Sequence, residues 1–301
     1  MKAAAQQLTA DACAEKSRVS VFSDLFKLRL TTLVLLTTLV GFYVGTVGSI
    51  QYWLMAHTVI ATALLACGAA ALNQLWERDH DAKMRRTETR PLPSGRLQPD
   101  TVLVIGAVMS MAGLIYMAAA VNLLASFLGG LTLATYLFIY TPLKRVTWLN
   151  TAVGAIPGAL PPLIGWTAAR NELSTEAIAL FAILFFWQIP HFLAIAWIYR
   201  DEYAKAGFVM LPNVDPNGFR TSRQAVSHTF GLMLVSIWPV VFGLTGIVYL
   251  VGAFLLGVVF LAAALRFSRQ LSLPTARQLF FASILYLPLL LGLMVMDKIR
   301  L

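Results

Sequence analysis

Charge is what this sequence has least of. Only 12% of its 301 residues are Asp, Glu, Lys or Arg, against 58% hydrophobic, whereas a soluble domain carries about 25% charged residues. That excludes an ordinary water-soluble globule. Cysteine is nearly absent, and Cys13 and Cys67 are too few and too badly placed for a disulfide framework or a cysteine-based metal site. The opening stretch Met1–Ser20 lacks the apolar core of a signal peptide; residues 1–25 read as a disordered cytoplasmic tail. Acids are scarcer than bases, 14 against 23, for a net charge of +9. Such an excess suits nucleic acid when it forms a stripe. Here the bases fall in the gaps between apolar runs, so the expected partner is a lipid bilayer and no nucleic acid is expected.

What is there in quantity is apolar runs of near 20 residues, each long enough to cross ~30 Å of hydrocarbon. Nine are expected, over 30–48, 53–75, 102–120, 123–140, 149–168, 177–199, 225–245, 247–265 and 279–296. The fold class is therefore all-α: a polytopic membrane helix bundle with nine transmembrane helices, filling 26–301. Pro157, Pro161, Pro162, Pro190, Pro239 and Pro288 fall inside the spans and predict kinks or broken helices. With that numbering of spans, 20 of the 23 bases lie on one side and only Arg170, Lys298 and Arg300 on the other. The positive-inside rule then places the N-terminus in the cytoplasm and the C-terminus on the outer side, in a cell (inner) membrane.

One polar stretch interrupts this pattern, Asn73-Gln-Leu-Trp-Glu77-Arg-Asp79-His-Asp81-Ala-Lys83-Met-Arg85-Arg86-Thr87-Glu-Thr-Arg90-Pro91. Asn73, Glu77 and Asp81 recur every four residues, which on a helix is about 400° and about 6 Å, one stripe of oxygen donors. Lys83, Arg86 and Arg90 follow. Hard oxygen ligands at the mouth of a membrane helix, with bases behind them, suit a divalent cation carrying a phosphorylated substrate. A solvated helix end held by i,i+4 ion pairs has the same local sequence.

The rest of the chain favours the first reading. A second acidic helix end, Tyr199-Arg200-Asp201-Glu202-Tyr203, follows the sixth span on the same side, with Gly207 as a plain C-cap signal. Between the two lies Tyr140-Thr141-Pro-Leu-Lys144-Arg145. Acids that hold cations and bases that hold oxygens directly make a diphosphate pocket. Breaking an allylic carbon–oxygen bond needs that diphosphate neutralised and the carbocation kept dry against ring faces. Phe185, Phe186, Trp187, Phe192 and Trp197 are candidate walls, although any one of them is equally at home in interhelical or lipid-facing packing.

Asn73-x3-Glu77-x3-Asp81 resembles the first aspartate-rich motif of the UbiA superfamily of intramembrane prenyltransferases. The continuation Met84-Arg85-Arg86-Thr87-x2-Arg90-Pro91-Leu92 resembles its haem-farnesylating branch. So do Asn150-x3-Gly154, Gly158-Ala-Leu-Pro161-Pro162-x2-Gly165-Trp166, Trp187-Gln188-x-Pro190-His191-Phe192 and Ala206-Gly207-x2-Met210-Leu211-Pro212. The resemblance implies transfer of a farnesyl group from farnesyl diphosphate to a vinyl group of haem B, with addition of water, to give haem O. A downstream haem A synthase or terminal oxidase assembly is the implied consumer. It further implies Mg2+ as cofactor and Asn73, Glu77, Asp81, Tyr140, Lys144 and Arg145 as catalytic candidates. The diphosphate would be held by Lys83, Arg86, Arg90, Lys144 and Arg145, and the metal by Asn73, Glu77 and Asp81 with Asp201 or Glu202. Three positions depart from the pattern. Gln74 stands where the superfamily often has an acid, Glu202 where the haem branch places Asp, and Phe208-Val209 where it has an apolar residue and Pro.

His191 lies inside the sixth span, where an ionisable residue is a functional candidate by default. It is either a haem-site residue or a partner for the carbonyl that Pro190 frees. His80 reads as a solvated loop residue. Two alternatives are a superfamily enzyme acting on a quinone precursor or chlorin, and a transporter or lipid carrier. The transporter is disfavoured because the ionisable residues gather at helix ends and no internal repeat is visible.

Overall fold

An apolar run with no water to satisfy its amides has one local solution, the helix. The computed structural model describes residues 17–299, and among these the only strand-like pairing is one bridge between Thr245 and Lys298. The helices are α1 (Arg18–Leu25), α2 (Leu28–Gly45), α3 (Tyr52–Asp81), α4 (Pro99–Ala120) and α5 (Leu123–Ala134). α5 runs on through a π-helical turn, Thr135–Tyr140, and a last turn, Thr141–Leu143. Next come α6 (Asn150–Ala159), α7 (Pro161–Arg170), α8 (Thr175–Ile198), α9 (Arg200–Lys205) and α10 (Leu211–Val214). α11 (Phe219–Val235), α12 (Trp238–Val241), α13 (Ile247–Arg269) and α14 (Leu273–Met296) complete the chain.

Among the described residues nine segments are long and apolar enough to cross a membrane, one for each expected run. The prolines act as anticipated at two joints. Pro161 and Pro162 open α7 after the break at Leu160, and Pro239 opens α12 after the break behind α11. Pro190 and Pro288 stay inside α8 and α14.

Three boundaries differ by six residues from the sequence reading, the ninth span beginning at Leu273 and not at 279. The second span does not stop at residue 75 but carries helix to Asp81, because its polar end is buried on one face: Asn73, Gln74, Glu77 and Asp81 are all inside. The seventh begins at Phe219, not 225. The Asp215 carboxylate accepts from the Thr221 backbone N–H at 2.8 Å and its hydroxyl at 2.9 Å, so a polar first turn is satisfied locally.

The supposed disordered tail also needs correcting over part of its length. Arg18–Leu25 is a helix, started by Ser17 accepting from Ser20 N–H. Val21 and Leu25, four apart, face inward, and Leu25 packs with Ala71, Leu92 and Val102. An i,i+4 apolar pair is too short a signal to stand out from a polar tail. Residues 1–16, and Arg300 and Leu301, lie outside the described residues.

Helices in lipid gain nothing from burying grease against grease, so they associate where backbones can touch. α2 and α7 do so through Gly41, whose added Cβ would collide with the Pro162 carbonyl, and Gly165, whose Cβ would collide with the Thr38 carbonyl. The end of the bundle where α2 and α7 finish is tied by side chains to free carbonyls. Arg170 Nε donates to Gly45 O at 2.7 Å, and Lys298 Nζ to Tyr43 O at 2.7 Å and Thr46 O at 2.6 Å. This leaves the opposite end, where α3 finishes, for the polar chemistry.

A side chain at Gly165 must therefore push α2 and α7 apart. Gly165→Leu is expected to lose about 1–3 kcal/mol or more of stability, read as a lowered thermal midpoint of detergent-purified protein. Gly292→Ala, where a Cβ meets nothing within 4 Å, should leave that midpoint unchanged.

Candidate functional site

The stripe foreseen on α3 forms: Asn73 is 0%, Glu77 5% and Asp81 1% exposed. Each of the three is engaged by a base from a different segment. Lys27 Nζ donates to Asn73 Oδ1 at 2.6 Å, Lys144 Nζ to Glu77 Oε1 at 2.7 Å, and Arg90 to Asp81 Oδ2 at 2.6 Å. Asn73 Nδ2 in turn donates to Thr141 Oγ1 at 3.0 Å, fastening α3 to the last turn of the fourth span. Lys144 Nζ also sits 4.5 Å from the centre of the Tyr140 ring, which lies so close to Gly154 of α6 that an added Cβ there would collide with it.

The two lysines feel this setting differently. Burial works against the Lys144 ammonium, but the Glu77 carboxylate beside it, with Tyr140 and Tyr136, together more than compensate, so its pKa lies above the ordinary lysine value. Lys27 has only a neutral amide as direct partner. Burial, then repulsion from Arg90, bring it down to about 7 despite help from Glu77. It sits at the joint between α1 and α2 in the left-handed region, φ 48°, uncommon for lysine.

The second acidic motif reaches the same end of the bundle. Arg86 backbone N–H donates to Glu202 Oε2 at 3.3 Å and its guanidinium to Tyr203 OH at 3.0 Å, while stacking over Tyr199 at 5.1 Å. Met84 packs with Ala196, Ala206, Phe208 and Met210. Of the two acids left open, Glu202 is turned toward the first motif. Asp201 is 88% exposed and, among the described residues, pairs only with its neighbour Arg200. Lys83 is exposed and is not drawn into these pairs. Arg145 is exposed as well, but lies 3.4 Å from His80 Nε2.

Four residues were misread or passed over in the sequence. His80 is no solvated loop residue. Its Nδ1 donates to Ala206 O at 2.6 Å, its Nε2 faces Arg145, and its ring lies on Phe208 at 5.2 Å. Gln74 donates to the Asp24 and Leu25 carbonyls, both at 2.8 Å, so it faces the end of α1 and not the stripe. A carboxylate cannot donate, which accounts for the amide at that departure from the motif. Lys27 is one of the 20 bases on the expected cytoplasmic side and carries no motif that points to Asn73. Asn150, singled out above only for its motif with Gly154, joins two loops by donating to Val209 O at 2.7 Å, a partner 59 residues away that the motif does not announce.

The donor set suits magnesium in one specific sense. Among the described residues no group of three His, Cys, Asp or Glu forms a ready cage. Two buried carboxylates and an amide oxygen are what Mg2+ uses when substrate phosphates supply its remaining ligands. Lys27, Arg90 and Lys144 can then exchange a carboxylate or amide for phosphate oxygens.

A family profile described as the UbiA prenyltransferase family matches residues 34–285. The chain is 47% identical over 287 residues to a protein of Solibacter usitatus named protoheme IX farnesyltransferase, covering 92% of this chain and 98% of that one. Among solved structures, one described as digeranylgeranylglyceryl phosphate synthase in membranes superposes with TM-score 0.79 at 14% identity, covering 94% of this chain and 99% of the other. A UbiA homolog from Archaeoglobus fulgidus bound to GPP and Mg2+ gives TM-score 0.63 at 15% identity over 91% of this chain and 99% of that one. At those identities the structural likeness is one of fold.

Breaking one partner of a buried ion pair strands the other. Lys144→Met is expected to cost about 3 kcal/mol or more of stability, and Glu77→Gln added to it should recover most of the loss. Chemical denaturation of the two variants and wild type in detergent checks this; a double variant no better than Lys144→Met would show that the pair is not coupled.

Proposed function

The chain belongs to the UbiA prenyltransferase family, and from that premise we propose that it farnesylates haem B. A farnesyl group passes from farnesyl diphosphate to a vinyl group of protohaem IX and water adds, giving haem O. The observation that carries the site assignment is the convergence of three separate segments on the α3 stripe. They are the Lys27 joint, the Lys144 loop, and the strap from Met84 to Arg90 that brings in Glu202.

Asn73, Glu77 and Asp81, with Glu202, would hold Mg2+, which when bound neutralises the diphosphate as it departs. Lys144, Arg90 and Lys27 take its oxygens directly, with Arg86 and Arg145 around the rim. Lys83, farther out, contributes to the field alone. As the C1–O bond of the farnesyl chain breaks, negative charge grows on the diphosphate among these cations, where preorganised positive groups lower the barrier most. When Lys144 turns to phosphate it leaves the face of Tyr140, and that ring, stacked 5.8 Å from Tyr136, is then open to the allylic cation. The vinyl carbon closes on C1, and water takes the positive charge left on the side chain and sheds a proton. Apolar walls from the spans keep other water away from the first cation.

The protein is a multi-pass membrane enzyme. We place the site at the cytoplasmic face of a cell (inner) membrane, N-terminus inside, because 20 of 23 bases share that side. The prenyltransferase domain runs over 26–301 and takes in α1 as well, since Gln74 and Leu25 fix that helix to α3.

Purified protein given haem B, farnesyl diphosphate and Mg2+ is expected to yield farnesylated, hydroxylated haem by mass. Product from a quinone precursor or chlorin, with none from haem B, would move the chain to another acceptor. Asp81→Asn should lower the rate about 100-fold or more while the protein still purifies folded; a fully active Asp81→Asn enzyme would remove Asp81 from the site.

A further inference from the structure

We propose that the groove between α11 and α13 holds an anionic phospholipid, its phosphate at Arg223 and an acyl chain laid past Phe230. The site stands apart from the farnesyl reaction. Neither the α3 stripe nor His191, which bonds across to Ser283 of α14, lines the groove.

The last three spans carry charge of one sign. Between residues 216 and 296 there is no Asp or Glu, while Arg220, Arg223, Arg266, Arg269 and Arg277 all occur there. They fall in the first two turns of α11 and α14 and the last turn of α13, so all five sit at one end of the bundle. It is the end that carries the α3 stripe, since Trp197 near the end of α8 lies against Gly218, where an added Cβ would collide with it. Among the described residues none of the five is in an ion pair. Membrane topology asks for bases on one side. It does not ask for a groove beside one of them.

Such a groove is present. Toward the bundle end it is a cleft of about 580 Å3, lined by Asn217, Arg223 and Ser268 and, one turn deeper, by Val226 and Leu265. Among the described residues the Asn217 and Ser268 side chains make no hydrogen bond, and Arg223 only lies over the Phe219 ring at 5.9 Å. Three polar side chains at the mouth are therefore unspent. A guanidinium binds phosphate through parallel N–H···O bonds, and a hydroxyl and an amide beside it can serve the remaining oxygens.

Deeper in the membrane the groove continues as an apolar trough of about 520 Å3, lined by Leu234, Ile237, Leu250 and Phe254, and Phe230 borders both parts. The two walls run antiparallel. As α11 is followed inward from Arg223, α13 is met in reverse, from Ser268 through Leu265 to Leu250. From Arg223 to Leu234 the helix rises about 16 Å, close to the ~15 Å of hydrocarbon in one leaflet. Polar and cationic at the headgroup level, apolar for the depth of one leaflet, the groove has the profile of a phospholipid. Arginines with no acid among them favour a headgroup of net negative charge over a zwitterionic one.

The test titrates full-length protein in detergent with phosphatidylglycerol, phosphatidylcholine or diacylglycerol of the same acyl chains, followed by native mass spectrometry. Wild type should bind one phosphatidylglycerol about fivefold or more tighter than phosphatidylcholine, and diacylglycerol no better than phosphatidylcholine. Arg223→Gln should erase that difference. Ser227→Trp, which adds bulk at an exposed position in the cleft without changing charge, should lose the bound lipid. Arg277→Gln, at the same end but outside the groove, should match wild type. Thermal midpoints without added lipid show that each variant is folded, and phosphatidylglycerol should raise the midpoint of wild type and Arg277→Gln but not of Arg223→Gln. Equal binding of the three lipids, a preference unaltered in Arg223→Gln, lipid still bound in Ser227→Trp, or an equal loss in Arg277→Gln overturns the site. So does displacement of phosphatidylglycerol by haem B, which would give the groove to the tetrapyrrole.

Discussion

A carboxylate that is 1% exposed at the mouth of a membrane bundle is costly to bury unless cations come with it. Asp81 meets that condition through Arg90, and Glu77 through Lys144. Neither base is a neighbour on the same helix, so the chain must bring distant segments to α3 before its end can be buried. The Met84–Arg90 strap and the loop after the fourth span are recruited by this one electrostatic demand, while the α1–α2 joint comes in through the Lys27–Asn73 hydrogen bond. The same cations are then in place for an anionic ligand. Because the pairs are buried, the proposed exchange of their partners for phosphate would take place in a medium where each charge counts for more than it would in water.

Uncharged contacts do the positioning. Gln74 anchors α1 through two carbonyls, Asn73 anchors the fourth span through Thr141, and Asn150 anchors Val209. Amide side chains suit these roles because each can donate without adding a charge to a site already crowded with them. At the opposite end Arg170 and Lys298 bind backbone carbonyls, and Arg170 adds only a 3.6 Å pair with the exposed Glu172. The bundle therefore has one stapled end and one reactive end.

Much of this was legible in the sequence because periodicity and hydropathy act locally. The run lengths gave nine spans, and the spacing of Asn73, Glu77 and Asp81 placed all three on one buried face of a single helix. What could not be read was pairing across spans. Nothing near Lys27 announces Asn73 as its partner, nothing near His80 announces Ala206, and Gln74 looked like a missing ligand until its donors met the end of α1. Asp201 and Glu202 were equivalent as letters. A helical step of 100° turns Glu202 toward Arg86 and leaves Asp201 in the open. The α1 helix escaped notice because two apolar residues four apart carry too little signal without the groove they fill.

The exchange of partners at the α3 stripe can be observed directly by determining the structure with Mg2+ and a non-hydrolysable farnesyl thiodiphosphate. The account predicts phosphate oxygens within hydrogen-bond distance of Lys144, Arg90 and Lys27, with Glu77 and Asp81 released from their bases to the metal. A diphosphate seated elsewhere, with the Lys144–Glu77 and Arg90–Asp81 pairs intact, would contradict it.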